Sequence, residues 1–216
     1  LSSSRVVLCA FTYFNGVCNL MQPSIILASS SQTRKDLMDR LLLDYQVIAP
    51  EIDEQPQGET HADDLARRLA FEKAQAVSQL HPDAIVIGSD QVAWREHAAH
   101  VFIGKPLTTE NAIRQLQANS NKIVYFSTAL SVQQQSSGFE RTLVEHYQVK
   151  FRDLSHAEIE RYVALEQPLY CAGSFKCEGL GISLFEHMMG QDQTTLMGMP
   201  MIQLCHILRE LKVLVP

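Results

Sequence analysis

Lys73 stands four residues after Leu69 and four before Val77, on the apolar stripe of a helical pattern. An ammonium group on that stripe must snorkel to water, pair with an acid, or meet an anion. Asp90 follows the apolar run Ala84-Ile85-Val86-Ile87-Gly88. A carboxylate beyond the end of a core strand sits at the open edge of an α/β sheet, where ligands collect, although Gly-Ser-Asp is also good turn chemistry. Lys105, in "GKP", divides in the same way between a ligand contact and plain exposure. In "IILASSSQTRKDLMDRL", residues 25–41, an apolar run ends in Ala-Ser-Ser-Ser, and a polar tetrapeptide carrying Arg34 and Lys35 opens a new apolar pattern. The first N–H groups of a helix have no intrahelical partner, and its dipole favours an anion there. Hydroxyls and cations at such a junction either cradle a phosphate or simply cap the helix, with Ser31 as the N-cap.

A turn-rich acidic stretch, "PEIDEQPQGE", adds Glu51, Asp53 and Glu54. Such carboxylates are either solvated loop charge or ligands for a hard cation such as Mg²⁺, which takes few protein carboxylates plus water and phosphate oxygens. The eight histidines form no H-E-x-x-H pattern, and Cys171 and Cys177 lack the close spacing of a zinc knuckle. Neither a G-x-G-x-x-G fingerprint nor a Walker loop is present. Hydroxyls and an arginine at a helix start, two lysines and several carboxylates together suit a polyphosphate bound with a divalent ion.

The elements that must position these groups are legible from periodicity. Residues 25–28 read as a short strand, 32–43 as a helix and 45–49 as a second strand. Residues 62–80 read as a helix with Leu65, Leu69, Ala76, Val77 and Leu80 on one stripe. Residues 84–94 and 100–106 read as paired strands, and Thr108 can cap a helix running to about residue 119. "NKIVYFSTALSVQQ" and "RTLVEHYQVKF" flank a turn and predict a β-hairpin. Ser155 and Glu158 fit a capping box for a helix over 156–165. "AGSFKCEGLG" reads as a glycine-punctuated loop, and Pro200 falls in the first turn of a last helix. Alternating elements followed by a hairpin predict an α/β fold with a mixed sheet and flanking helices.

With 216 residues, 46% of them hydrophobic, the chain suffices for one large domain or two small lobes. A formal net charge of −6 argues against a broad duplex nucleic-acid surface but leaves room for a local basic pocket. Five scattered cysteines read as reduced thiols of a cytoplasmic protein. The first 23 residues are loosely apolar but interrupted by Thr12, Asn15, Gly16 and Asn19, too broken to span a bilayer. They are expected to be an N-terminal extension, non-native or without fixed structure, with Met21 as the natural start. The folded unit is expected over residues 24–216.

In order along the chain, "LASSSQTR", "APEIDE", "RLAFEKA", "IGSDQVA", "GKPLT", "AGSFKCEGLG" and "MGMPMIQL" resemble the Maf family of nucleotide pyrophosphatases. The resemblance covers residues 24–213. "SDQ" together with "AGSFKCEG" is similar to the branch whose members act on 7-methyl-GTP. It implies an inosine triphosphatase-like fold, two lobes around a long cleft, and hydrolysis of a nucleoside triphosphate between the α and β phosphates. Carried across by motif, Ser29, Ser31, Arg34, Lys73 and Lys105 would surround the triphosphate. Asp90 would accept a proton from the attacking water, and Glu54 and Asp90 would hold Mg²⁺ or Mn²⁺. Thr33, Gln91 and Glu178 fall at positions associated with base selection. Thr33 departs from the tryptophan expected in close relatives and cannot stack on a cationic methylated purine.

The resemblance alone suggests a homodimer and gives no membrane or nucleic-acid partner. Two other readings remain: a pyrimidine triphosphatase acting on dTTP or UTP, and a nucleotide-binding regulator of septum formation in which hydrolysis is incidental.

Overall fold

The computed structural model describes residues 23–96 and 98–215, together with the strand backbone of Tyr13–Phe14 and Val17–Cys18. Those two short strands, β1 and β2, form a separate antiparallel pair. The rest of the expected extension, up to residue 22, lies outside the described residues. The order that follows is β3 (Ile25–Ala28), α1 (Gln32–Asp39), β4 (Gln46–Val47), α2 (Ala62–Ser78), β5 (Ile85–Arg95), β6 (Ala98–Ile103) and α3 (Thr109–Asn119). Then come β7 (Ile123–Gln134), β8 (Phe139–Phe151), α4 (His156–Glu166), β9 (Phe185–Met189), α5 (Gln193–Leu196) and α6 (Met201–Glu210).

Strands β3 to β9 form one sheet in the order β4-β3-β5-β7-β8-β9, with β6 added to β5. β3 runs parallel to β4 and β5, and the remaining pairs are antiparallel. The mixed sheet with flanking helices is therefore the expected one. The hairpin of β7 and β8 turns through Gly138, whose φ of 69° favours glycine. The capping box of Ser155 and Glu158 opens α4, and Thr108 caps α3, both as read from the sequence.

Several expected boundaries move. The helix expected over 32–43 stops at Asp39. The next three N–H groups bond back only three residues, to Leu37, Met38 and Asp39, and Leu42 turns to φ 53° with its side chain 92% exposed. Leu41 and Leu43 still pack on the core from this tightened turn, which is why the apolar spacing outruns the helix. The strand expected over 45–49 pairs only at Gln46–Val47. The helix expected over 62–80 ends at Ser78. Pro200 is the residue before α6, in extended conformation, and not within its first turn.

β5 organises the core because its two faces see different partners. Val86 and Val92 face α2, where Ala66, Leu69, Ala74 and Val77 cover them. Ile85 and Ile87 face the other way, into a cluster with Leu37, Met38, Leu204 and Leu208 from α1 and α6. Ala93, also on that second face, belongs to a different cluster with Phe126, Val149, Phe151 and Phe175. Two apolar clusters thus share one face of the sheet, and β5 and β7 run through both. Between them lies a polar seam of Ser89, Gln91 and Thr128.

Candidate active site

The site arises where β5 changes partners along one edge. β7 occupies the opposite edge from Val86 to Arg95. On the free side, β3 pairs with β5 only from Ile85 to Gly88, and β6 only from Ala93 to Arg95. Among the described residues, none pairs as a strand with 89–92 there. The chain leaves β3 at Ala28, opposite Gly88, so the Ser29–Ser31 turn and the start of α1 lie beside this gap. A break in an α/β sheet at the carboxyl end of a parallel strand is a recurrent ligand position.

Asp90 is therefore neither beyond a strand end nor in a turn, but inside the strand read over 84–94. It lies within an 11-residue strand, 8% exposed, on the face covered by α2. Glycine at 88 makes this possible. A Cβ there would meet the carbonyl oxygen of Ala70 and lie 2.7 Å from the backbone nitrogen of Ala74. Only a bare backbone lets α2 settle this close, and the approach brings Lys73 onto Asp90, two residues further along the same face. The Lys73 Nζ donates to Asp90 Oδ1 at 2.7 Å. It also lies 2.6 Å from Glu54 Oε1. Of the three readings open to Lys73, pairing is the one found, with the ammonium shared between two carboxylates.

Arg34 and Lys105 complete the charge cluster. The Arg34 Nε donates to the Gly198 carbonyl at 2.8 Å. Burial pulls the Arg34 pKa down, and the charges of Asp90 and Glu54 oppose that pull. A guanidinium stays charged through such a shift. Burial alone would raise the Glu54 pKa. The hydrogen bond and charge of Lys73 outweigh it, with Lys105 and Arg34 adding to them, and hold this carboxyl below its ordinary value. Lys105 itself is exposed.

The serines divide their roles. Ser31 is the N-cap of α1, its oxygen accepting the Arg34 N–H at 3.4 Å. Ser29 is 3% exposed and accepts the Ser31 N–H at 3.1 Å. Both oxygens serve as acceptors in shaping the turn, and among the described residues neither hydroxyl proton is committed, so both can donate to an anion. Capping and anion binding are thus compatible here.

The acidic stretch splits. Glu54 joins the cluster, whereas Asp53 caps the Gln55 N–H at 3.0 Å and Glu51 is exposed. Thr33 is half-buried in the first turn of α1. Gln91 points to the opposite face from Asp90, where its Nε2 donates to the carbonyls of Thr195 and Leu196 at 2.9 and 3.0 Å and to Thr128 Oγ1 at 3.0 Å. Two carbonyl partners fix which end of the amide is nitrogen and leave Oε1 as the end free for a ligand. Glu178 is exposed on the loop before β9, its Oε2 accepting the Cys177 thiol at 3.5 Å. It does not touch the Lys73 cluster. Burial pushes the Cys171 thiol up, and Glu178 and Lys105 are both among the charges acting on it, which sets that loop alongside Lys105.

The sequence reading gave no role to Ser89 or Thr128, which with Gln91 hold the 193–199 segment by the carbonyls of Thr195 and Gly198. Residues 185–199 showed no periodicity to read. The one available signal was Gly198, which adopts φ +103°.

A gap in the sheet beside a helix start, with a buried ammonium–carboxylate pair next to it, defines an α/β protein with an open-edge site. The chain belongs to the Maf family: that family's model, described as Maf-like protein, matches residues 24–211. The chain is 69% identical over 192 residues to "Nucleoside triphosphate pyrophosphatase" of Acinetobacter baylyi, which spans 89% of this chain and 97% of that protein. It is 44% identical over 188 residues to "7-methyl-GTP pyrophosphatase" of Nitrosococcus oceani, covering 87% of this chain and 93% of that one. Among solved structures, that of the Staphylococcus aureus Ham1 protein covers 60% of this chain and 72% of its own, at 18% identity and a TM-score of 0.43. Among the described residues, no helix is long and apolar enough to cross a membrane.

Proposed function

We propose that this chain hydrolyses a nucleoside triphosphate between its α and β phosphates, releasing a nucleoside monophosphate and pyrophosphate, with 7-methyl-GTP or a related modified nucleotide as substrate. The observation that carries the reading is the buried Lys73–Asp90 pair at the unpartnered stretch of β5, with Arg34 and Lys105 acting on the same cluster. The names of the two relatives support the reaction, and the second supports the base.

Phosphoryl and nucleotidyl transfers ask a protein mainly for alignment and charge stabilisation. Ser29 and Ser31 hydroxyls, the α1 start, Arg34 and Lys105 bind the phosphate oxygens and hold the chain in line with the attacking water. Asp90 orients that water and takes its proton. Lys73 fixes the Asp90 carboxylate and neutralises charge as the pyrophosphate departs.

Three cations and two carboxylates give the cluster a net formal charge of only +1 (3 − 2), too little for a triphosphate. That shortfall, and two hard oxygen donors converging on one ammonium, fit a divalent ion. Glu54 and Asp90 would hold Mg²⁺ or Mn²⁺ together with phosphate oxygens and water, since among the described residues no group of three metal-ligating side chains gathers. Such an ion supplies charge neutralisation and lowers the pKa of water. A cytoplasmic role on a nucleotide pool accords with Cys171, Cys177 and Cys205, all free.

A panel of 7-methyl-GTP, GTP, dTTP, UTP and CTP with Mg²⁺ or Mn²⁺, read by pyrophosphate release, tests the proposal. We expect 7-methyl-GTP to give the highest kcat/KM. Preference for dTTP or UTP would reassign the base, and inorganic phosphate as the first product would reject the α–β cleavage.

A further inference from the structure

We infer that Ser89 is a positioning residue for Arg34, acting through the carbonyl of Gly198. This rests on the reading of Arg34 as a triphosphate ligand and extends the site to a residue outside the charge cluster.

Ser89 precedes Asp90 on β5 and therefore faces the opposite side of the sheet. It is fully buried. Its one hydroxyl proton is shared between two acceptors, the Ala129 carbonyl at 2.6 Å and the Gly198 carbonyl at 2.9 Å. The same Gly198 oxygen accepts the Arg34 Nε at 2.8 Å. One carbonyl thus joins a serine in the sheet to a guanidinium at the start of α1. Gly198 can present it because its φ of +103° is a conformation that side chains disfavour.

The consequence for Arg34 is geometric. A guanidinium recognises phosphate with a planar fork of donors. Using Nε on a fixed carbonyl sets the plane of that fork and leaves the two terminal nitrogens for the substrate. A long side chain held this way loses less freedom when it binds. The carbonyl must itself be fixed. It belongs to a turn after a four-residue helix, and two attachments hold that turn to the sheet: Gln91 and Thr128 at Thr195, and Ser89 at Gly198. Ser89, through the longer arm of that shared hydrogen bond, is the one that reaches the acceptor of Arg34. The tripeptide Ser89-Asp90-Gln91 therefore serves both faces. Asp90 meets Lys73 on one, and its neighbours secure the arginine's support on the other.

The test is a double-mutant cycle on the full chain, using sodium tripolyphosphate as the binding probe and the preferred nucleotide for kinetics. Ser89→Ala is expected to weaken tripolyphosphate binding and raise KM by roughly three- to tenfold, the worth of one hydrogen bond, while kcat changes less. Ser89→Cys, similar in size with a weaker donor, should fall between. In an Arg34→Ala background the Ser89→Ala change should have no further effect, because the group it positions is gone. A serine that merely fills the core would lower thermal stability in both backgrounds and leave affinity alone. An undiminished effect of Ser89→Ala in the Arg34→Ala background, or unchanged affinity in the single variant, overturns this inference while leaving the functional reading standing. Wild-type protein that binds no tripolyphosphate overturns both.

Discussion

Lys73 governs the electrostatics of the site because it is nearly buried and answers to two acids at once. Removing one partner of a buried ion pair strands the other, at a cost of about 3–5 kcal/mol. Replacing Lys73 would strand two carboxylates at once, whereas Asp90→Asn leaves Lys73 its pair with Glu54, so Asp90 is the cleaner probe. Asp90→Asn keeps the size and a hydrogen-bonding oxygen for Lys73 but cannot accept the water's proton. We expect the variant to bind nucleotide and to lose turnover by about 10²- to 10⁴-fold, the usual worth of a positioned base. Single-turnover hydrolysis beside calorimetric binding separates the two effects. Near-wild-type hydrolysis would remove Asp90 from the mechanism. At this scale the sequence was informative: Lys73, Asp90 and Arg34 were singled out by residue type and position, and Glu54 was picked from its acidic neighbours by the family motif. What it could not supply was which of pairing, capping or ligand binding each would do. Those alternatives differ by a few ångströms between side chains far apart in the chain.

At the scale of elements, the decisive contact is α2 on β5. Ala70 and Ala74 on the helix and Gly88 on the strand permit backbone approach, and the ion pair sits one helical step away. Gly88→Ala would thrust a methyl group against the Ala70 carbonyl and force the helix outward. Overpacking of this kind destabilises by about 1–3 kcal/mol. We also expect lower kcat in the folded variant, since lifting α2 draws Lys73 from Asp90. Urea unfolding gives the first quantity and steady-state kinetics the second. A destabilised protein with unchanged kcat would show that the helix shifts without disturbing the pair. Element types were largely readable from periodicity, capping residues and turn chemistry. Boundaries were not: Leu37, Met38, Leu41 and Leu42 keep helical spacing, but the chain leaves the helix after Asp39, and Leu43 reaches the core while Leu42 faces solvent. The 193–199 segment was unreadable because it is held by bonds from Ser89, Gln91 and Thr128, not by its own pattern.

For the molecule as a whole, β5 and β7 are each long enough to serve both apolar clusters on one face and α2 on the other. Neither cluster can come apart without exposing strands that the other needs. A chain of this length could unfold in stages. Shared strands instead predict one cooperative transition over the described domain. The chain has a single tryptophan, Trp94, stacked on Tyr125 across β5 and β7 with ring centroids 4.5 Å apart. Its fluorescence and far-ultraviolet circular dichroism should therefore give coincident urea curves. Separated midpoints would mean that the two clusters unfold independently.

The sequence by itself determined the elements, the pattern of buried faces, the family motifs and the set of charged residues set apart from ordinary surface. These depend on local periodicity and residue chemistry, which a chain carries wherever it folds. Only the tertiary structure decided that Asp90 lies beneath α2 beside a gap in the sheet, that Lys73 is shared between two acids, and that Arg34 leans on Gly198. Each of those facts is a contact across long separations of chain. They exist because β5 loses its edge partner for four residues and α2 closes on a glycine, and neither event leaves a mark in the local pattern.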